Sequence, residues 1–529
     1  MSVSVKSVLI SDAVDNACVH LLQESGIRVT CRYKMSEREL LDEIKNHDGL
    51  IVRSDTKVTA ELLAAATSLK VVGRAGTGVD NINIDAATRK GVIVLNTPGG
   101  NSTSACELTC ALITALARNI AQACQSLKEG RWDRKLYTGN ELAGKTIAVL
   151  GLGRIGREVA VRMQAFGMRT IGFDPMVTAE LAQAFHVEKM DLSEIWPLAD
   201  YITVHTPLIP QTRNLLNDDV FNKCKRGVRI INVARGGIVD EAALLRALQD
   251  GRCGAAALDV FCEEPPTSPG TLELIQHPKV IVTPHLGAST CEAQQRVAVE
   301  IAEQFIALAS NVEPQIRARY SITGVVNAPV LAAAMVRDNT PWIMLANELG
   351  KLVAKMMQGV VQGTKIQITT SGAAMESKKF LGAAVLAGML SGCTKNGLNL
   401  INAPILAQEA GMQVTVHHET TDSPGTVKVS VTQDKLGCRS LRGTVKTDEL
   451  PYLLSVDDAN FEQGVLLGSN VQLFQGCDSM MNLGTIVSEL ITRGAIITSV
   501  AVALGKSAWF AVRAEHQVDN LDIPGVIPF

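Results

Sequence analysis

The sequence predicts an α/β protein with two doubly wound parallel-sheet domains followed by two smaller α+β domains. Three observations carry that expectation. Residues 1–98 and 146–283 alternate short apolar runs with helical patterns, as parallel strands joined by helical crossovers do. Within 145–174 a strand, a glycine-rich turn, a helix and a second strand follow in register. From about residue 330 that pattern is lost and extended segments appear. At 529 residues the chain is too long for one core.

In the first unit, strands are expected at 7–10, 28–31, 49–53, 71–74 and 92–96, with helices near 13–25, 36–47, 59–66 and 83–90. A helix through ELTCALITALA follows Asn101-Ser102-Thr103-Ser104, short polar residues suited to capping. It has little polar surface, so burial against a second subunit or within the chain accounts for it about equally well. The second unit places strands at 146–150, 170–173, 201–205, 229–233, 255–259 and 280–283, and an amphipathic helix spans about 292–310. Beyond 330 come a helix near 341–357, a strand near 364–370 and a helix near 378–391. Extended segments at 425–431, 441–445 and 451–456 follow, and the chain from 471 reads strand, helix, strand, strand, most of a βαββαβ unit.

The glycine turn carries specific chemistry. Gly151 allows a tight turn after the strand, Gly153 lets the backbone approach a pyrophosphate, and Gly156 lets the helix pack on the strand. The helix N-terminus offers free N–H groups to phosphates. Asp174 ends the second strand 18 residues past Gly156, near the spacing of a ribose-binding acid, though it could also begin the turn before Pro175. A carboxylate there repels a 2′-phosphate and favours NAD over NADP. This is a Rossmann-type dinucleotide unit.

Composition narrows the remaining classes. A net charge of −3 without a basic block argues against nucleic acid. The N-terminal stretch lacks the apolar core of a signal peptide, and no run reaches a membrane span. Twelve cysteines are scattered without a CxxC pair, which reads as reduced thiols in the cytoplasm. No metal is expected: His417 and His418 are adjacent on a probable strand and face opposite sides.

Ligands of open α/β sheets bind beyond the carboxyl ends of the strands. Arg53 and Arg74 end strands of the first unit, and the loop 75–80, with Gly76 and Thr77, can cradle an anion. Together they imply a small acid carrying carboxylate and phosphate. In the second unit Arg235, flanked by alanine and two glycines, has little to pack against, so a ligand carboxylate suits it. His285 can accept a hydroxyl proton, with Glu264 to fix its tautomer, while His205 is the rival base.

Six segments carry a recognisable pattern: GRAGTGVDN (73–81), GLGRIGREVA (151–160), HTPL (205–208), INVARGGIVDE (231–241), ALDVFCEEPP (257–266) and PHLGAST (284–290). The chain resembles the D-isomer-specific 2-hydroxyacid dehydrogenases, in a long form with C-terminal regulatory domains. The resemblance implies a flavodoxin-like substrate domain (1–98, resumed at 287–318), a Rossmann NAD domain (99–286), an intervening domain (319–455) and an ACT-like domain (456–529), atypical and shortened. It implies Arg235 as carboxylate binder, His285 as general acid/base and Glu264 as its partner. Cofactor contacts are implied at Thr77, Arg154, Ile155, Asp174, Thr206, Val233, Ala234, Arg235, Asp259, His285, Leu286, Gly287 and Ala288. Arg53, Arg74 and Gly76 would meet substrate, with Arg134 joining from a neighbouring subunit of a dimer or tetramer. The implied reaction is oxidation of 3-phospho-D-glycerate to 3-phosphohydroxypyruvate by NAD, the first step of phosphorylated serine synthesis. The turn at 477–484 lacks the proline of serine-inhibited forms, so no effector residue is assigned. Alternatives within the fold are a glyoxylate or hydroxypyruvate reductase and an NAD(H)-sensing corepressor; the folded tail and the extra arginines argue against them.

Overall fold

The computed structural model describes residues 3–328, 331–334, 336–359, 361–392, 397–468, 471–476, 481–515 and 526–528. Its first sheet contains β1 (Ser7–Ile10), β2 (Arg28–Cys31), β3 (Gly49–Val52), β4 (Val71–Arg74) and β5 (Ile93–Leu95). These run parallel in the order β2-β1-β3-β4-β5, the flavodoxin-like arrangement. β1 and β3 are buried at every position, as sequences of unbroken aliphatic character require.

The second sheet contains β6 (Thr146–Leu150), β7 (Arg169–Phe173), β8 (Glu188–Lys189), β9 (Tyr201–Val204), β10 (Val228–Asn232), β11 (Cys253–Leu258) and β12 (Val280–Val282). Its parallel order β12-β11-β10-β9-β6-β7-β8 is doubly wound, and the order reverses between β6 and β9. The short β8 was not expected, because two residues carry no periodicity. The glycine turn after β6 therefore opens at the switch point, where such sheets bind ligands.

The chain crosses between the two sheets twice, at 96–101 and 284–290. The helix Cys291–Leu308 brings it back, burying Val297, Ile301, Phe305 and Ile306 against the first sheet. Two strand glycines make that approach possible. A Cβ on Gly73 would lie 2.4 Å from the Phe305 ring, and one on Gly49 2.8 Å from it. Asn101 does not cap the helix Ser102–Arg118, contrary to expectation. Its Oδ1 accepts from Thr77 Oγ1 at 2.6 Å instead, tying the first crossover to the loop after β4.

The third sheet contains β13 (Lys365–Ser371), β14 (Gln413–Glu419), β15 (Thr426–Gln433), β16 (Gly437–Val445), β17 (Pro451–Val456), β18 (Ala459–Leu466), β19 (Val471–Gly476), β20 (Ile497–Leu504), β21 (Ala508–Ala514) and β22 (Val526–Pro528). It is one continuous sheet, β14-β13-β15-β16-β17-β18-β20-β21-β19-β22. The sequence suggested two separate α+β units meeting at 455. That position falls within β17, whose hairpin with β18 continues into β20 through Asn460–Leu504 and Phe461–Ala503. The helix Leu381–Leu390 is buried at all ten positions and so is apolar on every side. It crosses the helix Thr340–Met356 closely: a Cβ on Gly350 would lie 2.1 Å from Val385 O, and one on Gly388 2.0 Å from Asn347 O. The first part of the turn at 477–484 lies outside the described residues. Among the described residues no helix is long and apolar enough to cross a membrane.

Candidate active site

The cofactor turn follows directly from its three glycines. Gly151 has φ +97°, and a Cβ there would sit 2.6 Å from His205 O. A Cβ on Gly156 would lie 1.9 Å from Gly151 O, so helix and turn touch backbone to backbone. A Cβ on Gly153 would meet no protein atom within 4 Å, so the space over this turn is open to a ligand. No side chain caps the helix Arg154–Ala165, which leaves its first N–H groups for that ligand. The Thr206 hydroxyl beside the turn is buried and has no protein partner, as a cofactor contact requires. These features fit a dinucleotide pyrophosphate. Gly156→Ala is expected to destabilise the fold by about 1–3 kcal/mol through overpacking, read as a fall in Tm.

Asp174 follows β7, where its Oδ2 accepts from Leu152 N at 2.9 Å and its Oδ1 from Met176 N at 2.8 Å. It therefore starts the turn containing Pro175, as one reading expected, and also braces the glycine turn. Thr77 uses its hydroxyl internally, toward Asn101 and Thr97 O. Ile155 packs on the core, and the Arg154 guanidinium lies near Gly99 of the first crossover.

Beyond β12 the chain turns sharply at His285, with φ +55°. Asp259 causes that turn. Its oxygens accept from Thr283 Oγ1 at 2.5 Å, Leu286 N at 2.7 Å and Gly287 N at 2.8 Å, while its carbonyl accepts from His285 N at 2.9 Å. Asp259 is fully buried and its carboxylate shapes the histidine turn, with Oδ2 accepting one bond there and Oδ1 two. Val233 lies against Gly287. Leu286 is exposed, and Ala288 O accepts from Gln294 Nε2 at 2.6 Å.

His285 Nδ1 meets Glu264 Oε2 at 2.6 Å, and Phe261 N donates to Glu264 Oε1 at 3.0 Å. Burial pushes the Glu264 carboxyl up. The bonds from His285 and Phe261 N, with the charges of His285 and Arg235, outweigh that effect and hold it below its ordinary range. An ionised carboxylate only accepts, so Nδ1 carries the proton and Nε2 is left as the basic edge. His205 is no rival. Burial alone takes it down to about 4, and its Nε2 is paired with Thr203 Oγ1 at 3.0 Å.

Arg235 follows β10 on a turn fastened by buried Asn232, which accepts from Ala234 N at 3.0 Å and donates to Arg235 O at 2.8 Å. Gly236 lets this turn touch the one after β11: a Cβ there would lie 1.8 Å from Phe261 O. That contact sets Arg235 beside the His285–Glu264 pair. From the first sheet, Asp12 holds the turn at Arg53 by accepting from Arg53 N at 2.6 Å and Thr56 N at 3.1 Å. Arg53 Nε is buried without a partner. Arg74 donates to Arg53 O at 3.3 Å and passes close to Gly76, where a Cβ would lie 2.8 Å from its Nη1. Burial first, then the charge of Arg235, pushes the Arg74 guanidinium down to about 10. Three arginines thus converge on one cleft, an arrangement that a multiply charged anion relieves. Arg134 stands apart and is exposed. Sequence reasoning gave no role to Asp12, Asp80, Asn232 or Gly236. Each acts through a contact remote in sequence, and a close backbone approach is the only signal Gly236 carried.

Residues 110–287 match the D-isomer specific 2-hydroxyacid dehydrogenase NAD binding domain, and residues 339–457 match the D-3-phosphoglycerate dehydrogenase intervening domain. The D-3-phosphoglycerate dehydrogenase of Rattus norvegicus is 52% identical over 424 residues, covering 80% of this chain and 76% of the rat protein. The chain belongs to the D-3-phosphoglycerate dehydrogenase family. The family member of Methanocaldococcus jannaschii is 39% identical over 498 residues, 94% of this chain and 92% of its own. A solved D-lactate dehydrogenase of Aquifex aeolicus, complexed with NAD and lactic acid, is similar at 28% identity and a TM-score of 0.51. That likeness covers 56% of this chain and 93% of that one. As a member of the D-3-phosphoglycerate dehydrogenase family the chain is an NAD-dependent oxidoreductase.

Proposed function

We propose that the chain oxidises 3-phospho-D-glycerate to 3-phosphohydroxypyruvate, the entry step of phosphorylated serine synthesis. The observation that carries the reading is the convergence of Arg53, Arg74 and Arg235 on the cleft that holds the His285–Glu264 pair. NAD would be held by the 151–156 turn and Thr206 and would accept the hydride that leaves C2. His285 Nε2 takes the proton of the C2 hydroxyl, and Glu264 stabilises the imidazolium that forms. Arg235 binds the carboxylate and the reacting oxygen, while Arg53 and Arg74 take the phosphate. In the reverse direction the imidazolium returns the proton to the keto oxygen.

The assembly reading is a homo-oligomer, a dimer or tetramer. Ile120, Leu127, Trp132 and Leu136 are exposed in the segment 120–136 that carries Arg134, with Trp132 at 76% exposure, which supports a second subunit covering this segment and Arg134 entering its neighbour's cleft. Light scattering should give twice or four times the chain mass. The antiparallel order β20-β21-β19-β22, with a helix between β19 and β20, supports an ACT-like unit. The ten described cysteines are free, which supports a reducing compartment, the cytoplasm.

The deciding assay is NADH oxidation with 3-phosphohydroxypyruvate, hydroxypyruvate and glyoxylate in parallel. Strong preference for the phosphorylated acid is the expected result. Equal rates would make the chain a general hydroxyacid reductase, and NADH binding without turnover would make it a corepressor.

A further inference from the structure

The arginine that should receive a substrate carboxylate already holds one. Arg235 Nε donates to Asp80 Oδ2 at 2.9 Å, across the cleft from the loop after β4 to the turn after β10. Its Nη1 donates to Ala234 O at 2.7 Å. Its Nη2 is pressed against Gly78, where a Cβ would lie only 1.9 Å away. Two of its five N–H groups are thus engaged, and the side-on, two-pronged grip through Nε that a carboxylate takes is closed to a substrate while Asp80 is seated. Among the described residues Asp80 makes no other hydrogen bond or ion pair, and its side chain is 65% exposed. It is held by Arg235 alone and can swing into solvent without disturbing the core.

We infer that Asp80 is a built-in competitor, a carboxylate of the chain that occupies Arg235 and must be displaced before an acidic substrate binds. This rests on the reading of Arg235 as the carboxylate site and adds a positioning residue to it. The pair joins the two parallel-sheet domains, so its opening frees Arg235 and unlatches the cleft in one event. Apparent affinity for any acid is then reduced by the fraction of molecules in which Asp80 is seated. An exposed pair of this kind is worth up to about 1 kcal/mol, so its removal should tighten acid binding by about two- to fivefold. Competition of one carboxylate with another has a signature that support of the fold lacks. Loss of a supporting residue weakens binding, whereas loss of a competitor strengthens it.

The test uses the full chain saturated with NADH. Oxalate and 3-phosphoglycerate are titrated by calorimetry into wild type, Asp80→Asn and Asp80→Ala, and KM for 3-phosphohydroxypyruvate is measured alongside. Kd and KM should fall by about two- to fivefold in both variants, more in the alanine form, with NADH affinity unchanged. Equal or weaker acid binding by variants that bind NADH normally and melt with wild type overturns the competitor. The calorimetric arm needs no turnover, so it decides the role of Asp80 even if the phosphorylated acid proves not to be the substrate. Failure of wild type to bind either acid would remove both Arg235 as the carboxylate site and the competitor built on it.

Discussion

His285→Ala is expected to lower kcat/KM by about 10²- to 10⁴-fold while NADH affinity stays at the wild-type level. The imidazole is the group placed to move the hydroxyl proton, and its Nδ1–H is fixed by Glu264 at 2.6 Å. Its neighbours hold the turn through Asp259, so the loop should keep its shape when the ring is removed. Fluorescence titration with NADH checks binding, and steady-state kinetics with 3-phosphohydroxypyruvate checks the chemistry. A loss under tenfold would move the proton to another group. Glu264→Gln gives a milder version with a pH signature. The Glu264 carboxyl lies below its ordinary range, so in wild type the charge behind His285 persists at neutral pH and is lost only as pH falls through that lowered value. The glutamine form lacks the charge at every pH, so the acid-side change that wild type shows as Glu264 is protonated should be absent from its pH profile.

Arg235→Ala is expected to lower kcat/KM by about 10²- to 10³-fold, with a rise in KM as the larger part. In the proposed binding mode the substitution removes a charge-assisted grip on the carboxylate and the field at the reacting oxygen together. Arg235→Lys should recover little, because an ammonium cannot reproduce the planar fork. Kinetics on the phosphorylated and unphosphorylated keto acids separate the parts: loss of the carboxylate grip reduces both alike, whereas Arg53→Ala should reduce the phosphorylated acid selectively.

The cofactor half of this site could be read directly from the chain. Gly151, Gly153, Gly156 and Asp174 lie within one strand–helix–strand unit, and hydrogen bonds local to that unit dictate their conformations. The strand ends were legible too, because runs such as 49–52 and 147–150 are buried on both faces and leave no alternative register. The turn-shaping role of Asp259 was illegible for the opposite reason. Its partners lie 24 to 28 residues away, and only the pairing of β11 with β12 brings them to its carboxylate.

By itself, then, the sequence determined the two parallel sheets and the cofactor turn, since periodicity and short-range steric rules specify both, whereas the roles of His285, Glu264 and Arg235 are what the family resemblance implies. The tertiary structure decided what long-range packing alone can set. Burial silenced His205, a glycine contact between two turns carried Arg235 to the histidine pair, and the β18–β20 junction made one sheet of the C-terminal half. It also closed Arg235 on Asp80, 155 residues away. No local pattern encodes such a pair, because its energy exists only once two separately folded sheets face each other across the cleft.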